Sequence, residues 1–335
     1  MSPGRLRSGF VAVVAALCMA LLAGCTSTPS GGVSSSTDAS AGAFPVTVTG
    51  KLGSATIQAK PTRVVALSWT DGDVALGMGV VPVGMGAVPT SESGFDPWTE
   101  QVLGSSQRPA LLDMSKDTPL EAIAALRPDV ILATKFYGLD DSYAELSKIA
   151  PVVGYVNGPN ADTWQDTTTM IGKGLGVPDA AAKSVTDTEA AIRQAAAANP
   201  GFAGRTFSLL VTPRQDGVYT VNSTDDVSSA LLSQLGLRLS PTVTGLPSSE
   251  IPGRSNISYE QIGLVSADVV FATGSPGSLK ILDTTPGFTM LPVVAAGGYV
   301  PLEPALAQSI AFPSPISIRW SMENLPPKIA AALHL

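Results

Sequence analysis

A fifteen-residue stretch, Leu120 to Thr134, is written again from Tyr259 to Thr273, 139 residues later and without a gap. Six positions are identical: Glu121/Glu260, Ile123/Ile262, Asp129/Asp268, Val130/Val269, Ala133/Ala272 and Thr134/Thr273. An arbitrary register gives about one match at ordinary residue frequencies. Each copy reads as a short helix opening with a carboxylate, a tight break, then a buried strand ending in Ala-Thr. A helix-strand unit recurring at that separation predicts two similar lobes, and two facing lobes make a cleft. The length, 335 residues, exceeds one comfortable core and suits two lobes of about 130 residues each.

The first residues read differently. Arg5 and Arg7 form a basic start, and Phe10 to Leu22 is an apolar run of thirteen residues, too short for a stable membrane span. Leu22-Ala23-Gly24-Cys25 follows. This resembles the bacterial lipoprotein signal, in which residues 1–24 are removed and the Cys25 thiol carries lipid. Several acyl chains on one residue give a durable anchor where a single chain would not. Residues 25–43 are mostly Ser, Thr, Gly and Ala with one charge, Asp38, and are expected to act as a flexible tether. Cys18 lies in the removed segment and Cys25 is modified, so no disulfide is expected. Removing two Arg leaves 18 basic against 27 acidic residues, a net charge of −9. That balance argues against nucleic acid, which demands clustered Lys and Arg.

The body alternates strands and helices. Pro45 to Lys60 reads as a hairpin, Arg63 to Leu67 as a buried strand, Asp71 to Gly79 as a helix, and Val81 to Gly84 as the next strand. Gly86 to Ser106 reads as irregular. Leu120 to Leu126 and Ser142 to Ile149 are helices around the strand Asp129 to Ala133. A strand at Val152 to Val156 and a helix at Thr163 to Leu175 end an N-terminal lobe spanning 44–177. Pro178 then opens an Ala-rich helix over 178–199, with Val185 and Ile192 on one face and a length of roughly 30 Å. A C-terminal lobe, 200–335, restarts with the strand Arg205 to Val211. It continues with helices at Asp225 to Leu235 and Ser278 to Leu282, a strand at Gly298 to Leu302 and a final helix at Met322 to Leu333. The expected fold is α/β: two Rossmann-like lobes with mostly parallel sheets, joined by one long interlobe α-helix.

The run Pro-Thr-Arg-Val-Val-Ala-Leu, Leu-Gly-Met-Gly-Val-Val-Pro-Val-Gly, Leu-Glu-Ala-Ile-Ala-Ala-Leu-Arg-Pro-Asp-Val-Ile-Leu and Leu-Ser-Lys-Ile-Ala-Pro-Val-Val resembles the binding proteins of bacterial iron-siderophore and cobalamin importers. The second half adds Leu-Leu-Ser-Gln-Leu-Gly-Leu, Ile-Ser-Tyr-Glu-Gln-Ile, Ala-Asp-Val-Val-Phe and Leu-Pro-Val-Val-Ala-Ala-Gly-Gly-Tyr-Val. The resemblance covers Pro61 to Leu333 through the order and spacing of these pieces. It implies an exported receptor, lipid-anchored on the outer face of the cytoplasmic membrane, that hands its ligand to an ABC permease and its ATPase.

The resemblance also implies that Glu121 and Glu260 sit on the outer top of each lobe and dock on permease Arg residues. A competing local reading makes Thr118 to Glu121 a capping box, with the carboxylate serving the helix start. Ligand is expected at the carboxyl ends of the parallel strands. The residues there are Trp69, Met85, Lys135, Tyr137 and Tyr155 in the first lobe. In the second they are Arg214, Tyr219, Arg254 and Arg319. Arg forks suit chelate oxygens and aromatics exclude water, which fits an Fe(III)-siderophore. No cofactor of the protein's own is expected. Haem, through Tyr137 or Met85, and cobalamin stay open as guests. So does an envelope lipoprotein that binds another protein and transports nothing. The sole histidine, His334, is penultimate. A multi-His metal site and a Ser-His enzyme therefore lack their residues, and there is no phosphate loop.

Overall fold

The computed structural model describes residues 44–335. The expected signal at 1–24, the tether at 25–43 and Cys25 lie outside the described residues. The described chain opens with an antiparallel hairpin, β1 (Val46–Gly50) and β2 (Gly53–Ile57). Five parallel strands follow: β3 (Val64–Ala66), β4 (Gly84–Gly86), β5 (Ala110–Leu112), β6 (Val130–Ala133) and β7 (Val152–Gly154), in the spatial order β5-β4-β3-β6-β7. Helices α1 (Trp69–Gly77), α2 (Pro97–Leu103), α3 (Leu120–Ala125) and α4 (Leu139–Ile149) connect them, and α5 (Trp164–Gly174) follows β7. Val64, Ala66, Val130 and Leu132 pack into one core with Val74, Met85 and Ile171. Val65, Ile131 and Ala133 pack into the other with Ile123, Leu139 and Leu146. Alternate residues of one strand fill two cores, which is why these strands read as unbroken apolar runs.

The chain then crosses on α6 (Pro178–Ala198), whose buried stripe is Ala181, Ser184, Thr188, Ile192 and Ala195. That three- and four-residue spacing is one helical face. The second sheet contains β8 (Thr206–Arg214), β9 (Gly217–Val221), β10 (Arg238–Leu239), β11 (Arg254–Ile257), β12 (Val269–Thr273) and β13 (Tyr299–Pro301), and α7 (Val227–Gln234) lies between β9 and β10. Its order is β11-β9-β8-β12-β13, with β10 also on β8. β8, β10, β12 and β13 run parallel, and β9 alone runs against them, pairing antiparallel with both β8 and β11, so the sheet is mixed but mostly parallel, as expected. The repeated strands occupy matching places: β6 pairs with β3 as β12 pairs with β8.

Several elements depart from the expectations. β4 begins at Gly84 because Pro82 has no N–H to give, and the first ladder bond there is Val83 N to Val64 O at 2.8 Å. Its glycines let it tuck under the neighbouring turn: a Cβ on Gly86 would stand 2.8 Å from the Leu67 carbonyl. The stretch read as irregular holds α2, with Pro97 in its first turn after Asp96. The second copy of the repeat forms a 3-10 helix, Tyr259–Val265, where the first forms α3. Gly263 stands where the first copy has Ala124, and glycine is among the poorest helix formers. The single final helix is two, Pro315–Asn324 and Pro326–Ala332, divided where Pro326 cannot continue the ladder.

Candidate functional site

A cavity of about 1010 Å³ opens at the carboxyl ends of β3, β4, β5 and β6. Open parallel sheets place ligands there because the strand-to-helix loops diverge and leave a crevice. Its walls are largely apolar: Trp69, Leu111, Met114, Phe136, Tyr137 and Phe312. Phe312 comes from the second half of the chain, just after the helix Pro304–Ala311. Its ring meets Trp69 edge-on, with centroids 5.6 Å apart and planes at 80°. A smaller chamber of about 290 Å³ lies between the Asn160–Gln165 loop and α7, and Lys135 and Phe312 line both. At Thr90, Gln308 Nε2 donates to Oγ1 at 3.1 Å and ties the two halves again.

A buried carboxylate braces the loops behind the cavity wall. Asp71, in the first turn of α1, accepts from Thr134 Oγ1, from Thr134 N at 3.1 Å and from Ser68 Oγ at 2.7 Å. It thereby fastens the loop after β3 to the loop after β6. Burial raises the Asp71 pKa above the usual carboxylate range, and these hydrogen bonds oppose the shift. Thr134 is the last residue of the repeated unit. It aims Lys135, whose Nζ donates to the Asp162 carbonyl at 2.8 Å. Burial lowers the Lys135 pKa, opposed by the Asp71, Asp162 and Asp166 charges.

The sequence candidates divide sharply. Trp69, Lys135 and Tyr137 line the large cavity, and Tyr137 is 60 % exposed on its rim. Met85 and Tyr155 do not reach it. Met85 is wholly buried against Gly72 inside the first core, because residue 85 is the middle of β4 and not the loop beyond it. Tyr155 turns inward after β7, with its ring in the other core, and burial pushes its hydroxyl up to about 12. Arg319 faces α6, where Nη1 donates to Thr188 Oγ1 at 2.9 Å, and lines neither chamber.

Arg214, Tyr219 and Arg254 line neither chamber either, and each is already committed. Arg214 stacks 4.3 Å above the Tyr219 ring and donates to Asp216 and Asn256. Tyr219 donates to Glu250, and Arg254 pairs with Asp226 at 2.8 Å. The residues that sequence reasoning missed are Phe312, Leu111, Met114, Asp117 and Asp141. Four of these lie in or after elements the apolar pattern left unassigned, and Asp141 sits in the first turn of α4, one residue before its expected start.

Glu121 and Glu260 are exposed in the first turns of α3 and of the Tyr259–Val265 helix. The capping box of the competing reading is absent: Pro119 is the N-cap of α3, and neither helix start has a side-chain cap. Among the described residues neither carboxylate has a hydrogen-bond or ion-pair partner.

A profile of the family described as periplasmic binding protein matches residues 64–300. A Bacillus subtilis protein, YhfQ, whose name describes an ABC transporter substrate-binding lipoprotein, is 26% identical over 233 residues, 67% of this chain and 69% of its own length. A periplasmic solute binding protein of Mycobacterium smegmatis superposes with a TM-score of 0.75 at 30% identity, over 86% of this chain and 98% of that one. PiaA of Streptococcus pneumoniae, solved with ferrichrome, superposes with a TM-score of 0.73 at 26% identity, over 86% and 99%.

Proposed function

The chain belongs to the periplasmic binding protein family, and from that premise we propose that it captures a ferric siderophore in the large chamber and delivers it to an ABC permease with its ATPase. The observation that carries this reading is the chamber itself. It lies at the carboxyl ends of four parallel strands, and aromatic rings from both halves of the chain line it, meeting edge-on at Trp69 and Phe312. Rings of that kind exclude water from a bulky chelate and stack on its flat groups.

The receptor is exported and anchored through Cys25 to the outer face of the cytoplasmic membrane, in keeping with the lipoprotein name of its relative. Glu121 and Glu260 dock one lobe each on the permease. Their exposure, and the lack of a partner among the described residues, support that role. The haem alternative loses one of its two candidate ligands, since Met85 is sealed in the core.

Tryptophan fluorescence tests the reading. Ferrichrome added to the whole chain in detergent quenches emission saturably, and most of that quench disappears in Trp69→Phe. Absence of quenching with every one of several ferric chelates would sink the proposal.

A further inference from the structure

The charge inside the cleft runs opposite to what its arginines suggest in the sequence. Asp113, Asp117, Asp141 and Glu145 line the large chamber, and Asp162 and Asp225 the small one. Against these six carboxylates stand two ammonium groups, Lys116 and Lys135, a balance of two minus six, or −4. No arginine lines either chamber.

Lys135 is already engaged by its neighbours. Its Nζ donates to the Asp162 carbonyl at 2.8 Å, with the Asp71, Asp162 and Asp166 charges close enough to act on it. Some of the acids are also occupied. Glu145 pairs with Lys148, Asp113 accepts from Ser115, and Asp162 accepts from the Val156 and Asn157 amides at 2.6 and 3.0 Å. Asp117 and Asp141 are different: among the described residues neither accepts a hydrogen bond nor pairs with a cation. Apolar walls beside uncompensated carboxylates focus a negative field on the guest. An anionic chelate would carry like charge into that field, and such repulsion is how a site rejects the wrong ligand.

Resting on the siderophore reading above, we propose that this cleft selects ferric chelates of zero or positive net charge, with Asp117 and Asp141 setting the preference. A neutral ferric tris-hydroxamate meets the condition, since three deprotonated hydroxamates balance the Fe(III). A hydroxamate with a pendant ammonium meets it better.

The test titrates the whole chain in detergent with four probes: ferrichrome (neutral), ferrioxamine B (one positive charge), ferric citrate and a ferric tris-catecholate (both anionic). The two hydroxamates bind at least about tenfold tighter than either anion, and added salt weakens ferrioxamine B but not ferrichrome. The double variant Asp117→Asn/Asp141→Asn, checked for an unchanged melting curve, lowers the ratio of ferrioxamine B affinity to tris-catecholate affinity by roughly threefold or more. An anion binding as tightly as ferrichrome overturns the charge assignment and leaves the siderophore reading standing. So does a double variant with unaltered discrimination. No binding of any probe overturns both.

Discussion

Asp129 and Asp268, 139 residues apart, hold the same joint in the two lobes. Asp129 accepts from Thr62 N at 2.7 Å, Thr62 Oγ1 at 3.0 Å and Arg63 N at 3.0 Å. Asp268 accepts from Thr206 N and Thr206 Oγ1, both at 2.7 Å. Each carboxylate thus pins the entry of its lobe's central strand, β3 or β8, to the strand beside it, β6 or β12.

Removing either clamp leaves backbone donors at the start of a central strand without their partner. Asp129→Ala or Asp268→Ala lowers stability by about 1–3 kcal/mol, read as a fall in the thermal midpoint. The Thr206 amide and hydroxyl hold the Asp268 pKa below its ordinary value. Its folded pKa lies below its unfolded one, so its contribution is present above the unfolded pKa and lost as pH falls through the folded one. Asp268→Asn therefore costs less in acid than at pH 7, and an equal cost at both would refute the assignment.

Asp73 and Asp96 carry the opposite sign. Asp73 is buried, accepting from Trp98 Nε1 at 2.6 Å and Thr99 Oγ1 at 2.7 Å, with Ser314 Oγ of the other half at 3.4 Å. Burial raises it to about 7, and burial with the Asp73 charge raises Asp96 to about 7. A carboxyl raised above its unfolded pKa binds more protons folded than unfolded, so stability falls as pH rises from about 4 through 7. The thermal midpoint is higher at pH 5 than at pH 8. Asp96→Asn, which removes a buried charge whose Oδ2 has no hydrogen-bond partner among the described residues, raises the pH 8 midpoint and flattens the profile. An unchanged profile counts against it.

The two carboxylates proposed to dock on the permease, Glu121 and Glu260, separate binding from transport. Glu121→Lys or Glu260→Lys leaves ferrichrome affinity within about twofold, because neither side chain lines a chamber. Iron uptake in cells falls by roughly fivefold or more in each, and further in the double variant. Uptake unaffected by both reversals would remove these residues from the interface.

What the sequence disclosed followed from physical contrast. β3 and β6 are apolar on both faces, so Val64-Val65-Ala66 and Val130 to Ala133 stood out, and so did Trp69, Lys135 and Tyr137 just beyond them. β4 is Gly-Met-Gly, with no propensity to signal a strand. Placing it too early turned Met85 from a core residue into an apparent loop. Tyr155 failed similarly, because β7 ends at Gly154 and the next side chain turns inward. The antiparallel hairpin β8–β9 did have a cue, Asp216-Gly217 between two β-branched runs, which is a strong hairpin signal. Phe312 had none. It reaches the site through the packing of a distant helix, and no local pattern encodes that.

That distant residue yields the sharpest test of a cleft shared by both halves. Trp69 belongs to the first lobe and Phe312 to the second, yet their rings touch edge-on above the large chamber. Trp69→Ala and Phe312→Ala each remove chamber wall, and each weakens ferrichrome by about tenfold, comparable to losing one buried aromatic contact. Edge-to-face pairs contribute about 0.5–1.5 kcal/mol beyond their buried area, so the double variant weakens binding by less than the product of the single losses. The same cycle on the melting temperature reports whether that coupling exists before ligand arrives. Additive losses in both readouts would mean that the two rings line separate walls, and the guest would then sit in the first lobe alone.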